Sequence, residues 1–180
     1  MSQASKHVEW CLNKAKKEIE ECEKHGKRLK HRGLLKSNPN VDEAKKHLAK
    51  AEHNLIGITR FKDIDFSDWS MSAAFYCIYH CFLAIASTYG YESGNQTCTI
   101  SLMRYLNEEK KININEKFIK LLEYEEREDK EENSVIDLRE DYTYGIQITV
   151  KDEKKINELK ETCKELVEIT KQIIYKQQNP

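Results

Sequence analysis

Apolar residues recur at alternating spacings of three and four near the start of the chain. Over residues 5–30, Ala4, Val8, Cys11, Ala15, Ile19 and Cys22 mark one narrow stripe of small side chains, which predicts an amphipathic helix. Gly26 and His31-Arg32-Gly33 weaken that pattern, and Ser37-Asn38-Pro39-Asn40 ends the unit. A second helix starts near Asn40 or Asp42, with Ala44, Leu48, Ala51, Leu55 and Ile58 on its stripe. Asp65 to Asp68 then offer capping side chains to a third helix over 67–89, which Gly90 stops. This third segment differs in kind. From Trp69 to Ala86 it is apolar on nearly every side, the mark of a helix surrounded by neighbours. It is either the central helix of a bundle or one shared between a bundle and a dimer interface.

After a polar connection over 91–96, short helices are expected over 97–107 and over 115–125, the latter through Phe118, Leu121 and Leu122. Residues 125–133 are almost unbroken charge, which reads as a solvated helix end or mobile loop. In the stretch 135–150, Ile146, Ile148 and Val150 alternate as in a strand. In so helical a chain, a continuing helix or an irregular turn is the expectation there. The last helix, over 152–176, carries Ile156, Leu159, Cys163, Leu166, Thr170 and Ile173. The fold expected is all-α: an antiparallel up-and-down bundle of about five to six helices, over 40–180, with an N-terminal helical extension over 1–38.

Composition agrees with this pattern. The chain has 180 residues, enough for one domain, with 34% charged residues and only 6 Gly and 2 Pro. That excludes a β-sandwich and general disorder. Residues 1–60 hold 14 Lys+Arg against 8 Asp+Glu, whereas 61–180 hold 16 against 23. Such asymmetry fits either a polyanionic partner at the front half or basic and acidic faces matched within one bundle. The 6 cysteines are scattered and no apolar stretch opens residues 1–17. Reduced cytoplasmic thiols are therefore expected. The most apolar run, 73–86, is shorter than the ~20 residues of a membrane span and contains His80, so a soluble protein without membrane contact is expected.

Cys77, His80 and Cys81 lack the second Cys/His pair that a zinc site needs, and no metal is expected. Lys27, Arg28, Lys30 and Arg32 are candidate phosphate contacts, or simply a solvated helix end. The chain has no phosphate loop, dinucleotide fingerprint, zinc-hydrolase motif or nucleophile elbow. No cofactor is expected.

One resemblance goes further. Residues 44–55, AKKHLAKAEHNL, are followed by 68–80, DWSMSAAFYCIYH, then by 84–95, and later by 137–145, DLREDYTYG. In this order the segments resemble HEPN-domain proteins over residues 41–174, particularly the small stand-alone archaeal and bacterial kind. The resemblance implies an antiparallel helical bundle that forms a homodimer. It also implies RNA, a nucleotide or a nucleotidyltransferase-type antitoxin as partner. Many family members are metal-independent RNases with an R-x(4–6)-H motif. In them an arginine steadies the charged phosphoryl transition state and a histidine moves the 2′-hydroxyl proton. Arg139 matches that arginine, but Tyr144, Gly145 and Ile146 stand where the histidine would fall, and no histidine follows His80. Tyr144, Asp141 and His80 are the remaining acid–base candidates. Three readings follow: a dimeric, toxin–antitoxin-like binding module without turnover, a divergent endoribonuclease using Arg139, and a purely structural interaction bundle.

Overall fold

The computed structural model describes residues 2–123, 135–146, 149–150 and 152–177. They form helices α1 (Gln3–Lys24), α2 (Val41–Asp63), α3 (Ser67–Thr88), α4 (Gln96–Glu108), α5 (Glu116–Lys120), α6 (Val135–Tyr144) and α7 (Glu153–Lys176), with short strands β1 (Leu34–Lys36) and β2 (Tyr91–Ser93). The chain is an all-α helical bundle. Side-chain oxygens of Ser2, Asn40, Asn95, Asn115 and Asp152 accept N–H groups in the first turns of α1, α2, α4, α5 and α7, satisfying donors that a helix start leaves open.

Helix α3 is the centre. It packs against α2, α4, α6, α7 and β2, and Met71, Ile78, Phe82 and Ile85 are fully buried. Their cluster continues through Leu102, Met103, Leu106, Phe118 and Leu166, and takes in Val8 and Cys11 of α1. By length and composition α3 could cross a membrane, with a mean hydropathy of 1.4, yet 72% of that apolar stretch is buried within the fold. The 22-residue helix is longer than the run of 73–86 that sequence delimits.

Two features depart from expectation. First, beside the helices, six of them over 40–180 as expected, the described residues hold a small antiparallel sheet, with Leu35 opposite Glu92. Gly90, at φ +74, turns the chain from α3 into β2, and a Cβ there would lie 2.6 Å from the Ser37 carbonyl oxygen. Only glycine combines that dihedral with so close an approach. Second, α3 starts without a side-chain cap, and Ser67 Oγ instead accepts the Val150 N–H at 2.9 Å. Helix α6 ends at Tyr144, where Gly145 donates its N–H to the Asp141 carbonyl. Of the two expectations for this stretch, the irregular turn and not the continuing helix follows Tyr144 among the described residues. The charged stretch 125–133 and residues 147–148 lie outside the described residues.

The cysteines also need correction. Cys11 and Cys98 form a disulfide, with Cα atoms 5.9 Å apart across 87 residues of sequence. Not all six thiols are free, so the cytoplasmic expectation loses part of its basis. The bond ties α1 to α4, beside hydrogen bonds from Ser2 to Glu108 and between Ser101 and His7. Gly33 lies against α1 here, since a Cβ at that position would fall 2.2 Å from the Cys11 carbonyl oxygen. The first 38 residues thus share a core, a sheet and a covalent bond with the rest.

Candidate functional site

The α6 candidates diverge. Arg139 lays its guanidinium over the Phe75 ring, 4.5 Å from the centroid, and its side chain is 20% exposed. Its Nη2 stands 3.6 Å from Glu140, and its buried Nε has no hydrogen-bond partner among the described residues. Tyr144 follows five residues later, about 140° around the helix, and is 77% exposed. Asp141 is exposed as well. Thr143 is hydrogen-bonded to Ser72 of α3 at 2.9 Å, which fixes the rotation of α6 on α3.

His80 lies apart from that group. On α3 it is five residues beyond Phe75, again about 140° around the axis, and it faces α2. There its Nδ1 is 3.1 Å from Nδ1 of His47. One of these nitrogens donates and the other accepts, so at least one ring must hold its proton on Nδ1. Burial, His47 and Lys50 pull the His80 pKa down to about 4. Burial also lowers that of His47, against the raising effect of Glu43. Both rings are uncharged at neutral pH. An unfolded histidine takes up its proton near pH ~6.5, whereas folded His80 does so only near 4. Between these values the unfolded state binds more protons, so stability falls as pH drops through the window. Urea midpoints at pH 7 and pH 4.5 are expected to fall further in wild type than in His80→Gln; equal falls would refute this account of the pair.

Sequence reasoning gave His47 no role, because only the antiparallel register of α2 on α3 brings it to His80. His47 also lines a cavity of about 680 Å³, bounded by Ser37, Asn40, Glu43, Ser87 and Glu92 among others. That volume suits a small ligand. Asn40 and Ser37 donate backbone N–H groups to the carbonyls of Ser87 and Gly90 at 2.9 Å, which holds the walls together.

Another cavity, about 350 Å³, is lined by Lys27, Lys30 and Arg32 together with His25, His31, Glu18, Glu21 and Cys22. Arg28 is exposed outside this lining. Glu18 accepts the Arg32 N–H, so carboxylates are interleaved with the basic cluster. Cys77, Cys81 and Cys163 are buried in the core. A hydrogen bond with Cys163 raises the Cys77 pKa, and burial raises that of Cys81; these thiols are not poised as nucleophiles.

The remaining feature is an exposed apolar side of α3. Trp69 and Tyr76, one heptad apart, are 50% and 44% exposed on a helix otherwise devoted to the core. Tyr144 and Ile146, at the end of α6, are 77% and 99% exposed. The Ser72–Thr143 bond sets α6 beside them. No protein-family model matches the chain, and no curated protein matches it either.

Proposed function

We propose that this chain is a HEPN-like helical module that self-associates through the α3–α6 side and acts by binding rather than by turnover. The observation supporting this is the set of large apolar side chains, Trp69, Tyr76, Tyr144 and Ile146, left exposed where α6 lies on α3. Large aromatics exposed together are characteristic of protein interfaces. RNA, a nucleotide or a nucleotidyltransferase-type antitoxin is the class of partner that the HEPN resemblance supplies. A mass measurement across a concentration series tests the self-association.

Absence of turnover rests on geometry within one chain: Arg139 and His80 occupy different sides of α3, and His80 is engaged with His47. The second reading, a divergent endoribonuclease, draws on the buried Arg139 Nε, a donor without a partner among the described residues that an anionic phosphate could use. Labelled single-stranded RNA incubated with protein in EDTA separates the two. Wild type and Arg139→Ala are both expected to leave the RNA intact. Cleavage by wild type that Arg139→Ala abolishes would establish the endoribonuclease instead.

A further inference from the structure

We propose that His47 and His80 are the imidazole half of a zinc site between α2 and α3, with Glu43 and water completing the coordination. Two nitrogens on a tetrahedral zinc, each at ~2.0–2.1 Å, stand about 3.3 Å apart. The two Nδ1 atoms already face one another at 3.1 Å, so an ion could enter between them with little movement of either ring. The rings sit on α2 and α3, joined along their length by contacts such as the Ser70 hydroxyl on the Ile58 carbonyl at 2.8 Å. Such a base holds ligand geometry better than loops do.

Glu43 lies one turn before His47 on the same face of α2. Its carboxylate meets Lys46 at 3.0 Å in a solvent-exposed pair, an interaction weak enough to be exchanged for a metal bond. No three His, Cys, Asp or Glu side chains among the described residues stand already gathered as a ligand set. Glu43, which lines a cavity together with His47, must therefore turn toward the ring pair. Imidazole, carboxylate and water are a donor set that suits zinc. Lys50, near His80, opposes a cation and limits its affinity.

The alternative is an ordinary N–H···N hydrogen bond, and titration of EDTA-stripped, desalted protein with zinc chloride separates the two. One zinc per chain is expected to bind with micromolar affinity. His47→Gln and His80→Gln should each weaken it by at least about tenfold, the minimum that loss of even an outer partner costs. His53→Gln, on the exposed side of α2, should leave it unchanged. Imidazole nitrogen spectra of wild type supply a readout free of folding effects: zinc should shift both Nδ1 resonances. Binding weaker than millimolar, binding that survives both histidine variants, or unmoved Nδ1 resonances would overturn the site.

Discussion

Replacing Cys11 and Cys98 together by serine is expected to destabilise the fold by about 2–4 kcal/mol. The bond closes a loop of 87 residues; chain entropy alone gives about 4.6 kcal/mol for such a loop, and measured effects commonly fall below that figure. For a chain of this size, that corresponds to a fall in Tm of about 4–16 °C. The effect should be uneven. Helix α1 packs on α4 and β1 and has few other anchors, so its amides should lose hydrogen-exchange protection first. Cys22→Ser, which alters a free thiol, should leave Tm within about 1–2 °C. An unchanged Tm on reduction, with both thiols shown free by mass, would remove the bond from the stability account.

The second large effect is expected at the α3–α6 side. Tyr76→Glu combined with Tyr144→Glu should raise the dimer dissociation constant by at least about 100-fold, because aromatic side chains buried at an interface are frequent hot spots. A twofold axis brings each substitution in twice, and each introduced carboxylate must lose water when the surfaces close. Both side chains are exposed in the single chain, so its stability should change by only about 0.5 kcal/mol. Sedimentation equilibrium paired with urea unfolding reads both quantities. Equal dissociation constants, or loss of the fold, would count against this face as the interface.

The bundle was legible because burial sets the spacing of apolar residues. Helix α3 is apolar nearly all round because neighbours cover all of it except the side of Trp69 and Tyr76, and Ile156, Leu159, Cys163 and Leu166 on α7 are buried where their stripe places them. What escaped was long-range. Leu34–Lys36 and Tyr91–Ser93 are too short to alternate visibly, and pair only because Gly90 turns the chain back. Cys11 and Cys98 carry no spacing signal across 87 residues. His47 looks like one polar residue among lysines until α2 folds against α3. Conversely, Arg139, Asp141 and Tyr144 are close in sequence, but the turn of α6 sends Arg139 onto Phe75 and Tyr144 to solvent. Proximity along a helix did not make a site.

The central claim is self-association, and light scattering on the eluting wild-type protein measures it most directly. At micromolar concentration the account predicts a mass twice that of the chain, reverting toward one chain mass in the Tyr76→Glu, Tyr144→Glu variant. A strict monomer at every concentration would contradict it.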